Sequence, residues 1–184
     1  QESSDYLLEQ QKEVFIMLFL LILACVEEKP ATLDVCEEDV SVTEVAVGLT
    51  NEQKEVSYII EEEFSEMGIS PSVTAAAIVN AIAESGLDPE AIGDKGKAVG
   101  AFQLHKDGLG NKLSIDDRMN VYTSSNIVGI QILKNNRLNV LDDKNENISI
   151  LTQVIAEDIM RPDNIEAQKT KRSRLSKKIF PERI

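Results

Sequence analysis

The chain has 184 residues, with 19 Lys and Arg against 32 Asp and Glu and a formal net charge of −13. That length suits one domain of ordinary size with extra segments, and the charge argues against a general nucleic-acid binder, whose affinity rests on neutralising phosphates. Two cysteines and a single histidine leave neither a disulfide framework nor a His/Cys zinc site, so no metal or other cofactor is expected.

Residues 14–26 read VFIMLFLLILACV, thirteen uninterrupted apolar residues. As a helix they would span about 20 Å, short of the roughly 30 Å of bilayer hydrocarbon. The run has the length of a signal-peptide core, but the residues before it carry acids and only Lys12, where a signal wants positive charge. Ile22-Leu23-Ala24-Cys25 is a loose likeness of a bacterial lipoprotein cleavage site; processing there would remove residues 1–24. The expectation is an N-terminal segment over 1–26 whose hydrophobic helix, Val14 to Val26, is covered by a larger assembly or contacts a membrane when that assembly delivers it. A core helix of the same chain is the plainer alternative.

Residues 27–49 form an acidic linker, with one short strand expected near 40–47. A helix is expected to start at Thr50, where Thr50-Asn-Glu-Gln53 has the form of a capping box and Val56, Ile59, Ile60 and Phe64 follow at helical spacing; Gly68 stops it. Ser70 as N-cap and Pro71 as first residue open a second helix running to Ser85. Val73, Ala76, Ala77, Val79, Ala81, Ile82 and Ala83 make this helix apolar nearly all round, so it should be buried. Glu84 is its only acid. Held partly out of water, a carboxyl group there would keep its proton more readily and suit a general acid.

Six glycines punctuate residues 86–110, where any β-hairpin must lie. One helix is expected from about Met119 to Asn136, with Val121, Ile127, Val128, Ile130, Ile132 and Leu133 inward. Another runs from Ile148 to Met160, broken by Arg161-Pro162, and a polar helix follows over 163–179. From 161 to 184 eight Lys and Arg face three acids, which reads as a basic docking arm or as a solvated helix paired to the protein's own acidic body.

Asn80-Ala-Ile-Ala-Glu84-Ser85-Gly86-Leu87-Asp88-Pro89, followed by Gly100-Ala101-Phe102-Gln103-Leu104, resembles the lysozyme-like superfamily, in particular goose-type lysozymes, soluble lytic transglycosylases and bacteriophage tail lysozymes. The Gly93-Asp94-Lys95-Gly96 turn, Asp116-Asp117 with the later Asn126-Ile127, and Ile155 to Pro162 add to the likeness, which covers about residues 50–178. It implies an α+β lysozyme-like fold, mainly helical, with a catalytic domain over 50–160, a small β or loop element after the catalytic helix, and a basic helix or tail over 161–184. It also implies cleavage of the β-1,4 bond between N-acetylmuramic acid and N-acetylglucosamine in peptidoglycan, with Glu84 as the acid. The expected setting is a phage virion, as a tail or internal component beside other virion proteins, acting on the host cell wall. The rivals are an inactive structural or adaptor protein that kept the fold and a bacterial envelope lipoprotein transglycosylase.

Lytic transglycosylases carry an Ala-Tyr-Asn-like motif in a later helix. Here it is missing, and Tyr122 and Asn126 are the nearest chemical substitutes. Inverting hydrolysis would need a second carboxylate about 6.5–9.5 Å from the acid, and a retaining nucleophile would sit near 5 Å. Asp94 is the first candidate, and Asp116 or Asp117 the second, although Asp116 reads more plainly as a helix N-cap. A transglycosylase needs neither, since the resemblance implies that Glu84 then takes a proton from the sugar's own 6-hydroxyl; the reading leans to that route. Asn80, one turn before Glu84, is expected to orient its carboxyl group. Gln103 suits an N-acetyl amide because it both donates and accepts. Ser85 is a substrate contact or an ordinary helix-end residue, Phe102 a groove or a core residue, and His105 a groove or a surface residue.

Overall fold

The computed structural model describes residues 41–181 except positions 145 and 163. The chain divides into two units, residues 1–39 and 40–184. The apolar run at 14–26, Cys25 and the acidic linker up to residue 40 lie outside the described residues. What is described is mainly helical with a small antiparallel sheet, as the resemblance implied at that level.

The strand expected near 40–47 is instead one helical turn, α1 (Val42–Val45). Its exposed backbone donors are taken by a side chain: the Glu61 carboxylate accepts from Val42 N at 2.7 Å, Thr43 N at 3.0 Å and Ser41 Oγ at 2.9 Å. A carboxylate at a helix start satisfies orphan N–H groups and meets the positive end of the dipole. Val42 and Ala46 are thereby turned into the core.

Helix α2 (Asn51–Glu66) opens with the expected capping box and buries Val56, Ile60 and Phe64. Gln53 serves twice. Its Oε1 accepts from Thr50 N, and its Nε2 donates to Gly86 O at 2.9 Å, tying the start of α2 to the end of the next helix. That helix, α3 (Pro71–Ser85), has Ser70 as N-cap, Pro at its first turn and Gly86 in the left-handed region as C-cap. Ala75 to Val79 and Ala81 are fully buried. Small side chains let α2, α7 and α8 crowd against it, so α3 is the axis of the domain.

Three two-residue strands follow: β1 (Ile92–Gly93), β2 (Ala98–Val99) and β3 (Leu104–His105), paired antiparallel in that order with Ile92 opposite Val99 and Ala98 opposite His105. The sheet is locked from beneath by Arg118, 4% exposed, whose guanidinium donates to Lys97 O at 2.7 Å and Leu104 O at 3.0 Å.

The helix expected from about Met119 to Asn136 is present over 121–133, flanked by two short helices. Helix α4 (Ile115–Met119) and helix α5 (Val121–Leu133) meet at Asn120, which closes one with extended backbone and caps the other through its side chain. Ser114, with Asp117 at the third position, forms the capping box of α4, so the N-cap role expected of Asp116 belongs to Ser114. On α5, Val121, Val128 and Ile132 are buried, whereas Leu133 is exposed. Asn135 then caps α6 (Asn136–Asp143), unforeseen from the sequence, which buries Leu138. Helix α7 (Ile148–Ile155) widens into a π turn over Ala156–Met160, ended by Arg161 in the left-handed region. Helix α8 (Ile165–Ile179) closes the chain. The basic tail is therefore not set apart. Arg172, Ser176, Ile179 and Phe180 are buried, and Val47 N donates to Ile179 O at 2.8 Å. Among the described residues no helix is long and apolar enough to cross a membrane.

Candidate active site

The end of α3, the sheet, α5 and the π turn enclose a cleft of about 830 Å³. This lies within the range of small-molecule sites, roughly 300–1,000 Å³. Glu84 lines one wall; Asp94, Gln103 and His105 come from the sheet, Gln131 and Lys134 from α5, and Asp158 and Arg161 from the π turn.

Glu84 is at the cleft because α3 must end there: Gly86, with φ +75°, turns the chain away one step later. The side chain is 21% exposed. Its setting is not the apolar wall that the sequence suggested. Arg172 of α8, 1% exposed, donates Nη2–H to Glu84 Oε1 at 2.6 Å, and among the described residues Oε2 has no hydrogen-bond partner. Glu84 is thus half of an ion pair, with one oxygen held by Arg172.

Asn80 does not touch the carboxylate. Fully buried, it donates Nδ2–H to Ala76 O at 2.8 Å and Thr152 O at 3.1 Å, and its Oδ1 accepts from Arg172 Nη1. It orients Glu84 only through Arg172. Ser85 is spent on structure too, donating to Ala101 O at 2.7 Å and accepting from Asp88 N at 3.1 Å, which ties the helix end to the sheet.

Gln103 reaches the cleft, but its amide N–H groups go to Ala91 O at 3.1 Å and Gly100 O at 3.0 Å. Its Oε1 fills the space over Gly93, where an added Cβ would sit 2.2 Å away. Gln103 thus braces the sheet rather than offering its donors to a ligand. Phe102 is 1% exposed and belongs to the core, its edge forming cleft floor. His105 accepts at Nδ1 from Asp107 N at 3.1 Å, so Nε2 bears the hydrogen and donates to Asp94 Oδ2 at 2.9 Å. That hydrogen bond, helped by the charges of Lys97 and Lys95, holds the Asp94 carboxyl below the usual carboxylate range.

Tyr122 and Asn126 lie on an exposed face of α5 and do not line the cleft, and neither do Asp116 and Asp117. The cleft acids besides Glu84 are Asp94, Asp107 and Asp158. Asp158 accepts from Asn135 Nδ2 at 3.1 Å and lies 3.5 Å from Arg137 Nη1. Its neighbour Glu157 is kept below its ordinary range by a hydrogen bond from Arg137, with Lys169 adding to it.

Three of the six non-glycine residues with positive φ among the described residues line the cleft. Asp94, Gln103 and Arg161 all line it and all have positive φ without being glycine, at +43°, +48° and +48°. Each costs on the order of 1 kcal/mol or more, and such residues gather at functional sites. Sequence reading missed Arg172, Asp158, Gln131, Lys134 and Arg161. For Arg172 a signal exists: Ile165, Arg172, Leu175, Ser176 and Ile179 fall on one helical stripe, so the arginine occupies an inward position. Among the described residues no group of His, Cys, Asp and Glu is arranged to hold a metal ion. Comparison of the chain with family models, with curated proteins and with solved structures finds no match.

Proposed function

We propose that the protein cleaves the glycan strands of peptidoglycan, at the bond between N-acetylmuramic acid and N-acetylglucosamine, with Glu84 as acid and then base on a lysozyme-like α+β fold. The observation that carries this reading is the placing of Glu84. It is the only carboxyl group of a buried helix and lines the cleft, with Oε1 held by Arg172 and no hydrogen-bond partner to Oε2 among the described residues. With Oε1 occupied, a proton on Oε2 is the one available for donation.

Glu84 gives that proton to the glycosidic oxygen as the bond to C1 breaks. The 6-hydroxyl of the muramic residue then attacks C1 and passes its proton to Glu84, forming an anhydro ring and restoring the acid with no water consumed. The occupied state of Asp94, tied to His105, favours this route over activation of water by a second carboxylate. The setting in a phage particle rests on the resemblance and on the apolar run at 14–26.

The test is solubilisation of purified cell walls. Removing a general acid costs about 100-fold or more, so Glu84→Gln should lose at least that much while keeping its fold, and the products should end in anhydro-muramic residues. Equal failure of wild type and Glu84→Gln would remove the enzyme reading. One observation favours a second reading, a structural or adaptor protein: Glu84–Arg172 also works as a strut joining α3 to α8. That role predicts loss of stability, without loss of any wall activity, when Glu84 is changed.

A further inference from the structure

Arg172 stands outside the cleft lining yet fixes the one carboxylate that the proposed reaction uses. Its guanidinium is divided between two partners on α3: Nη1 goes to Asn80 Oδ1 and Nη2 to Glu84 Oε1. Asn80 and Glu84 are four residues apart, on the same helical face one turn from each other. Arg172 therefore bridges successive turns of α3 like a two-pronged clip.

The direction of the clip is fixed at its far end. Both Asn80 Nδ2–H donors are committed, to Ala76 O in its own helix and to Thr152 O in α7, which leaves Oδ1 aimed at the arginine. Three helices, α3, α7 and α8, thus set the angle at which the guanidinium meets the carboxylate. Nothing about a buried hydrophobic core requires this. Arg172 is 1% exposed, and its Nε is buried without a hydrogen-bond partner. Two Met or Leu side chains would fill such space at lower cost, since buried ion pairs are commonly neutral or unfavourable compared with apolar residues.

We infer that Arg172 is a positioning residue for Glu84: by holding Oε1 it leaves Oε2 as the oxygen that carries the transferable proton. The inference rests on the glycan-cleaving reading. Besides Arg172, the charged and titratable groups that share the cleft with Glu84 are Asp94, His105 and Asp107 by the sheet, Lys134 on α5, and Asp158 and Arg161 at the π turn. None of them is hydrogen-bonded to Glu84 among the described residues; the direct contact is Arg172 alone.

The experiment measures kcat and KM per folded molecule for cleavage of soluble, purified glycan strands by the full chain, for wild type, Arg172→Gln and Arg172→Lys. Arg172→Gln and Arg172→Lys each lose the fork that joins Asn80 Oδ1 to Glu84 Oε1, so in both kcat should fall at least tenfold while KM stays within twofold. A purely structural arginine would lower the amount of folded protein without changing kcat per folded molecule. An active wild type whose kcat is kept in Arg172→Gln overturns the inference and leaves the glycan-cleaving reading intact. If Arg172→Gln does not fold, Arg172→Lys decides alone, and full kcat in that variant overturns the inference. A wild type inactive on walls and strands overturns both.

Discussion

Replacing Asn80 by alanine removes the anchor on which the Glu84–Arg172 arrangement hangs, and its cost can be worked bond by bond. Asn80 is fully buried and makes two neutral hydrogen bonds, to Ala76 O and Thr152 O, and accepts one from a guanidinium. Neutral bonds contribute about 1 kcal/mol each and a bond to a charged group about 1.5–3 kcal/mol. The loss is therefore about 3.5–5 kcal/mol, offset by roughly 0.5 kcal/mol from the better helix propensity of alanine. Urea unfolding of the full chain should show a destabilisation of about 3–4.5 kcal/mol, well above the roughly 1 kcal/mol of an ordinary substitution. Because the arginine is one of the partners lost, Asn80→Ala with Arg172→Met should cost less than the sum of the two alone by about 1 kcal/mol or more. A single-mutant effect below about 1.5 kcal/mol, or strict additivity in the double mutant, would refute the view that these residues act as one network.

Three further predictions concern two glycines and Asp94. Gly100 has φ +83°, and a Cβ there would lie 2.2 Å from the backbone oxygen of Arg118; left-handed strain and the clash should together cost about 2–4 kcal/mol in Gly100→Ala. Gly48, with φ +79° and open space around it, isolates the strain, so Gly48→Ala should lose only about 1–2 kcal/mol on the same unfolding curve. Asp94 is held below its ordinary value of 3.8, chiefly by His105. A depressed carboxyl contributes stability that is complete above the unfolded value and is lost as pH falls through the folded one. That loss belongs below pH 3.8, and carbon-detected NMR titration of His105→Ala should move Asp94 back up toward 3.8; an unmoved midpoint would contradict the assigned cause.

The parts of the fold that were legible in the sequence are those where local chemistry and tertiary packing agree. Thr50-Asn-Glu-Gln53 and Ser70-Pro71 mark helix starts through their own side chains, and the starts of α2 and α3 stand where those residues put them. The turn at 42–45 was read as a strand because Val42, Val45 and Val47 suggest extended backbone. What decides it is Glu61, nineteen positions away from Val42, whose carboxylate caps the turn. Helix α5 starts two residues past Met119 because the Asn120 side chain caps it, and an Asn between Met119 and Val121 resembles an ordinary interior residue.

The site divides along the same line, between what a residue is and what it is bonded to. Glu84 could be found because a single acid in an otherwise apolar helix is visible by type and position alone. The neighbours expected to serve a ligand were chosen by side-chain chemistry, and Asn80, Ser85 and Gln103 do use the donors that made them attractive, but on backbone carbonyls. That outcome follows from the site's construction. A cleft floor made of two-residue strands and positive-φ turns has few ladder hydrogen bonds, so side-chain amides and hydroxyls replace them. Arg172 was passed over for the opposite reason. Six of the fifteen residues of α8 are Lys or Arg, and by composition each of them looked like solvent-facing charge; only the stripe through Ile165 and Ile179 separates the one that faces inward. A cation on the inner face of a terminal helix has to meet something, and the only carboxylate on the helix it packs against is Glu84. Helix α8 lines no part of the cleft, yet through Arg172 it holds the carboxylate that does, so the geometry of Glu84 is set by residues 165–179 as well as by the helix that bears it.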